Sequence, residues 1–196
     1  MIPCYQICKN NNCIHFNIEC FDCKRLPDEC EYAVEHLLDD RENQRIDGKK
    51  HGFWREWNEN GELSSECNYE NGELNGLWRS WYENGRVAYE ANYENDMISG
   101  RICEWYSNGK LATDGYFVGG ERHGSFRRWY ENGQLKSESY YVGGKLKGIW
   151  REWHLNGQLS YEGNYENSER DGFCRQWSSQ GTLVSEQFYE RGKLKQ

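Results

Sequence analysis

The chain has 196 residues, a formal net charge of -8, a mean hydropathy of -1.08 and 15% aromatic side chains. Such hydropathy excludes a thick apolar core, while the Trp and Tyr load excludes a disordered chain, which is poor in aromatics. The acidic balance lacks the basic footprint of a nucleic-acid binder and disfavours adsorption to anionic lipid. No apolar run is long enough for a signal-peptide core or a membrane span, so a soluble cytoplasmic or intracellular protein is expected.

Residues 1–47 hold 5 Lys/Arg against 10 Asp/Glu, and six of the nine cysteines lie in the first 30 residues: Cys4, Cys8, Cys13, Cys20, Cys23 and Cys30. Cys20 and Cys23 form a C-x-x-C pair, and His15 follows Cys13 by two positions. Thiolates and imidazoles at such spacing can enclose a tetrahedral zinc, and a segment with so small a core needs a staple. The expected zinc ligands are Cys8, Cys13, Cys20 and Cys23, with Cys4, His15 and Cys30 as alternatives. A ribbon or finger wants two close pairs and only one is present, so structural zinc, disulfides and free thiols all stay open. Disulfides would require an oxidising compartment. A helix is expected over 28–41, with Asp28 as N-cap, Glu31 three residues on, and Tyr32, Ala33 and Leu37 on one face. This Cys-rich module reads as a cap on the first edge strand of the repeats that begin at residue 48.

Residues 48–196 are organised by a step of 24 residues held without insertion. Trp57, Trp81, Trp105, Trp129, Trp153 and Trp177 keep it, as do Gly61 and its five successors four residues later, and Leu63, Val87, Leu111, Leu135, Leu159 and Leu183 two residues beyond those. A fixed period of this length means a repeat array. In each unit, two runs rich in Trp, Tyr and Leu flank a turn such as Glu59-Asn60-Gly61, and in the first unit a second Glu-Asn-Gly, at 70–72, leads into the next. The expectation is an all-β, elongated antiparallel meander of six hairpins, with the same turn chemistry at both ends. At two strand spacings per unit, it would span on the order of 55–60 Å.

Register decides the faces. A two-residue turn at Asn60-Gly61 places Arg55 opposite Glu66. A three-residue loop with Gly61 left-handed places Trp57 opposite Leu63. The second is preferred because it puts Phe53, Trp57, Leu63 and Tyr69 on one face and opposes large to small, Phe53 to Cys67 and Leu77 to Ala91. Either register stacks identical residues into Trp, Leu and Tyr/Phe ladders, each aromatic contact contributing about 0.2–1 kcal/mol. Gly52, Gly76, Gly100, Gly124, Gly148 and Gly172 mark a position of special geometry or one covered by a ring. Arg191-Gly192-Lys193-Leu194-Lys195-Gln196 would shield the last edge strand.

Over residues 46–196 the pattern resembles the MORN-repeat family, in the variant form W-Y-x-N-G-x-L with x-G-x-x-x-G. Asp96 and Ser168 replace the turn Gly, Gln180 replaces Asn, and Cys103 and Cys174 interrupt the strands. The resemblance implies an elongated β-sheet acting in protein association or at membranes. Such variants also occur in bacterial proteins labelled antitoxins and in large DNA viruses of amoebae, which would make a virion a second expected location.

Arg55, Arg79, Arg127, Arg151 and Arg175 recur at one position, as do Glu66, Glu90, Glu138, Glu162 and Glu186 at another. A salt-bridge ladder is expected in preference to an anion-binding stripe, with Asp114 left seeking a partner opposite Cys103. Cys67, Cys103 and Cys174 read as packing substitutes, and His51, His123 and His154 form no metal-binding pair. There is no G-x-S-x-G, P-loop or dinucleotide fingerprint. The carboxylates recur with the repeat, whereas a catalytic site would be unique, so no enzyme is expected. The expected function is a protein-binding scaffold or structural component whose interaction face is Trp57, Trp81, Trp105, Trp129, Trp153 and Trp177. Lipid or glycan binding and toxin neutralisation are the rivals, and the places to search are Asp96-Met97-Ile98, Ile102-Cys103 and Ser168-Glu169-Arg170.

Overall fold

The computed structural model describes residues 6–9, 12–15 and 42–195. The expected helix at 28–41 and the candidate ligands Cys4, Cys20, Cys23 and Cys30 lie outside them. Gln6–Lys9 and Asn12–His15 pair as a separate antiparallel hairpin in which Cys8 stands opposite Cys13.

From residue 44 onward the described chain is a single antiparallel sheet with no helix. Outgoing strands end on the six Trp: Lys49–Trp57, Gly76–Trp81, Met97–Trp105, Gly124–Trp129, Gly148–Trp153 and Glu169–Trp177. Return strands begin at the Leu/Val column: Leu63–Glu70, Val87–Glu94, Leu111–Val118, Leu135–Val142, Leu159–Glu166 and Leu183–Glu190. Each pairs with its sequence neighbours, and no ladder joins Lys193–Lys195 back to Gln44–Ile46, so the sheet is open. Its two ends are covered unequally. At the first, the Asn43 amide bonds both the N–H and the C=O of Arg55, as a strand would. At the last, Lys193–Lys195 pairs only with Phe188–Glu190.

The two rims use different turns, contrary to the expectation of one turn chemistry. Beside the Trp column the loop has three residues: Gly61 N–H donates to the Asn58 carbonyl, Asn58 N–H to the Glu62 carbonyl, and Gly61 has φ +79°. This is a turn followed by a left-handed glycine. At the opposite rim, two-residue turns have both central residues at positive φ, Asn71-Gly72, Asn95-Asp96 and Asn167-Ser168 among them, as the primed hairpin turns require. The glycines at the step of Gly52 all have positive φ as well, which is their special geometry.

Both expected pairings occur together, because Trp57 stands opposite Leu63 and Arg55 opposite Glu66. One extra residue, Ser64, makes this consistent: the register shifts there as a β-bulge, and the other units shift at the equivalent place. The bulge overturns the expected faces. Trp54, not Phe53, faces Cys67, and Trp78, not Leu77, faces Ala91. Tyr69 shares a face with Trp54, while Phe53, Trp57 and Leu63 lie on the other with the Arg/Glu ladder.

The Trp54 side is the packed face, and it roofs itself. Trp78 lies 5.2 Å from Tyr89 and 5.6 Å from Tyr93, and Trp150 lies 5.5 and 5.7 Å from Tyr161 and Tyr165. The Tyr161 and Tyr165 hydroxyls meet at 2.7 Å above Gly163, where a Cβ would sit 2.3 Å from the Tyr161 oxygen. Tyr89 and Tyr93 make the same arch over Ala91, which is fully buried. In units with Ser at the first tyrosine position, a cation covers the rings instead. Lys50 Nζ lies 4.4 Å from Trp54 and 4.6 Å from Tyr69, and the Arg122 guanidinium lies 4.6 Å from Phe126. Two core clusters result, Ala91–Ile102–Phe126 and Leu146–Tyr161–Tyr165–Cys174. Cys67, Cys103 and Cys174 are buried free thiols, as packing substitutes should be.

Candidate functional site

The opposite face carries the six tryptophans, the Leu/Val column and the ion-pair ladder. Outgoing strands place Arg and Trp two residues apart, so both project to one side. Trp57 is 50% exposed and the other five are half-buried; no second layer covers this face among the described residues.

The ladder is an alternation in which Glu66, Glu138 and Glu162 each bridge two arginines. Glu66 Oε1 takes Arg79 at 3.3 Å while Oε2 takes Arg55 at 3.7 Å. Glu138 takes Arg151 and Arg127 at 3.2 and 3.8 Å, and Glu162 takes Arg175 and Arg151 at 3.9 and 2.8 Å. In each, Oε1 serves the next unit's guanidinium. Glu42 begins the row on Arg55 and Glu186 ends it on Arg175 at 2.6 Å. Partly exposed pairs contribute about 0.2–1 kcal/mol each, so the ladder sets register and solubility more than stability.

The row breaks at Cys103, which stands between Glu90 and Asp114 in the pairing. Asp114 finds the partner the sequence left open in Arg101 Nε, at 2.7 Å. Burial pushes the Cys103 thiol up from its ordinary range, with Asp114 and Glu90 adding to the shift against an opposing Arg101. Beside the break lies an open depression of about 450 Å³ lined by Arg79, Trp81, Arg86, Val87, Glu90 and Trp105, with Gly109 at its end. Val87 is the one valine in a column otherwise of leucine, so a side chain one methylene shorter separates Trp81 from Trp105.

The rim beside the tryptophans holds a second set of links that sequence reasoning missed. The hydroxyls of Tyr82, Tyr106 and Tyr130 donate to the carbonyls of Trp105, Trp129 and Trp153 at 2.6–2.7 Å, and His154 Nε2 replaces them on the Trp177 carbonyl at 2.9 Å. Asn84, Asn108, Asn132 and Asn156 each donate from Nδ2 to a carbonyl of the next loop, and each accepts from the backbone N–H two residues on. The signal was the repeat of Tyr and Asn inside W-Y-x-N-G. In the last unit Ser178 and Gln180 stand there, and Ser178 Oγ accepts from Gln180 and Thr182 N–H within its own loop.

Two of the three places where the repeat varies are structural. Asp96 and Ser168 take positive φ without being glycine, and each side chain accepts from the preceding unit's edge: Leu74 N–H to Asp96 Oδ1 at 2.7 Å, Leu146 N–H to Ser168 Oγ at 3.0 Å. Ile102 belongs to the core at 5% exposure. Of the metal candidates, Cys8, Cys13 and His15 have described backbone only. Among the described residues no His/Cys/Asp/Glu group is arranged to hold a metal, and no helix is long and apolar enough to cross a membrane.

An open sheet of stapled hairpins with an uncovered aromatic face defines a repeat-based binding or scaffold module. Residues 50–71, 74–95, 122–142 and 146–167 match the family model described as the MORN repeat variant. The third unit, with Arg101, Cys103 and Asp114, and the last, with Ser178 and Gln180, fall outside the match. No curated protein matches the chain.

Proposed function

We propose that the protein is a non-catalytic scaffold that binds a protein partner across its tryptophan-and-ladder face. One observation carries this: the packed face satisfies its own aromatics, whereas Trp57, Leu183, Phe173 and Phe188 on the ladder face keep 43–50% of their surface in water, and among the described residues no second layer covers them. A large apolar stripe rimmed by charge is what protein interfaces use. The net charge of -8 argues against anionic membrane as the counterpart. Carboxylates on this face are bonded to arginines in unit after unit, an arrangement suited to specificity and not to proton transfer.

The test replaces Trp129 and Trp153 with Ala together and compares protein capture from source lysate, anionic vesicle binding and glycan-array binding with the unaltered chain. The scaffold reading expects loss of a discrete protein partner with unchanged circular dichroism. Vesicle or glycan binding that disappears in the double variant, with no protein captured by either, would sink it.

A further inference from the structure

The ladder face carries one column tryptophan per unit, two strand spacings from the next, so the column advances about 9.5 Å at each step. The Leu/Val column stands between successive rings, and the slot between Trp81 and Trp105, over Val87, opens to about 450 Å³. None of the six indole N–H groups in this column has a hydrogen-bond partner among the described residues. In the five half-buried ones the nitrogen still reaches water. On the packed face, by contrast, Trp54 donates its indole N–H to the His51 carbonyl. The charges beside the column already serve one another: Glu90 holds Arg79, Asp114 holds Arg101, and Glu138 and Glu162 share Arg151. The column therefore calls for an uncharged occupant that brings acceptors.

The spacing and the free donors select its backbone form. An α-helix spends its carbonyls on its own turns, and two turns advance about 10.8 Å, out of step with the column. A β-strand laid on a face would bring N–H groups that find no acceptor there, since the sheet's own carbonyls are engaged in its ladders. Polyproline II repeats every three residues, about 9.3 Å, makes no internal hydrogen bonds and leaves its carbonyls outward. Where its residues are proline it has no N–H to desolvate, and its preset backbone loses little entropy on binding. One turn then meets one tryptophan, with a pyrrolidine ring in the slot and a carbonyl on the indole N–H. The sheet turns by about 20–25° per strand, which holds the match to two or three units at a time.

We propose that the tryptophan column of the ladder face docks a proline-rich segment of a partner protein in polyproline II form, one turn per repeat unit. The inference rests on the scaffold reading and names the chemistry of its partner. The two fail separately: a protein captured through Trp129 and Trp153, with no response of the column to proline peptides, rejects only this inference.

The probes are acetylated, amidated peptides of three, six and nine prolines, titrated into the full chain while the indole N–H signals are followed by NMR. Trp54, Trp78 and Trp150 on the packed face serve as internal controls. The expected result is a saturable shift of the column signals alone, with Kd falling at least threefold for each added turn. A nine-residue Gly/Ser peptide, flexible and rich in N–H, should bind at least tenfold more weakly than nine prolines. Trp105→Phe combined with Trp129→Phe keeps both rings but leaves no three consecutive donors. It should weaken the nine-proline peptide at least threefold, to the level of six prolines, with unchanged circular dichroism; if it does not fold, the length series decides. Equal response to the Gly/Ser peptide, no gain with length, or shifts shared by the packed-face tryptophans would overturn the site. An amphipathic helical peptide or cellohexaose that saturates the column when nine prolines do not would assign the face to that occupant and overturn it as well.

Discussion

On the packed face, Trp150 is enclosed by Tyr161 and Tyr165, whose hydroxyls close over Gly163. On the other face, Trp57 lies beside Leu63 with half its surface in water. Both are tryptophans on antiparallel strands with a small or aliphatic neighbour across the pair. What separates them is the third residue. On the packed face a tyrosine pair or a cation arches over Trp54, Trp78, Phe126 and Trp150, whereas on the ladder face Arg and Glu satisfy one another, and the arginines that reach Phe53 and Phe173 leave Trp57 open. A one-layer sheet can therefore be stable and still keep one face free for binding. No large side chain among the described residues is completely buried, so stability is spread thinly and locally.

The comparison breaks most visibly at Phe126, which is 5% exposed and shared between two units through Phe117 and Tyr141. Phe126→Ala should cost about 3 kcal/mol or more in urea unfolding. Trp129→Ala on the half-buried ladder face should cost less, about 2 kcal/mol, while removing partner binding. Equal losses would mean that the ladder face is also core.

Close behind comes Gly115→Ala. A Cβ there would lie 2.3 Å from two carbons of the Phe126 ring, at a residue of ordinary φ, so the ring must move. A loss of about 1–3 kcal/mol is expected, and Gly61→Ala, with open space around its Cβ, probes backbone conformation alone.

Alkaline pH should act through the packed face. Burial first, then neighbouring groups, hold the Tyr69 phenol up to about 12, and burial raises Tyr89 and Tyr161 in the same direction. A folded value above the unfolded one, near 10, gives stability that is complete below about pH 10 and lost as pH rises towards the folded value. Thermal midpoints measured from pH 8 to 11.5 should fall above pH 10, beyond an earlier decline from the raised Cys67 and Cys103 thiols. A flat profile would show that the arches are open to water.

Smaller still are the rim staples. Tyr130→Phe removes the hydroxyl that bonds the Trp153 carbonyl, and about 1 kcal/mol is expected, with faster amide exchange confined to the two loops it joins. Asp96→Gly should fall within about 0.5 kcal/mol of zero, because the lost bond to Leu74 N–H offsets the left-handed backbone that glycine relieves.

Much of this was legible in the residues. The period, the turn positions, the Arg55–Glu66 and Trp57–Leu63 pairings and the ladder all come from residue types at fixed spacing. The roofing rule is written there as well, but it has meaning only once the packed face is known: Leu74 and Leu146 accompany Tyr89 and Tyr161, whereas Lys50, Arg122 and Arg170 accompany Ser65, Ser137 and Ser185. The bulge was not legible. Ser64, Ala88, Ala112, Lys136, Ser160 and Val184 share no chemistry, because the inserted residue is excluded from both faces and nothing selects its side chain.

By itself, then, the sequence determined a six-unit antiparallel array, its turns and its charge pairing, because these depend on contacts that recur between near neighbours in the chain. The tertiary structure decided which aromatics are buried and which arginine serves the row at its break. A one-residue shift in register exchanges the two faces of a strand. The partner of Asp114 is likewise visible only in the fold, where Arg101, two residues from Cys103, reaches it at 2.7 Å.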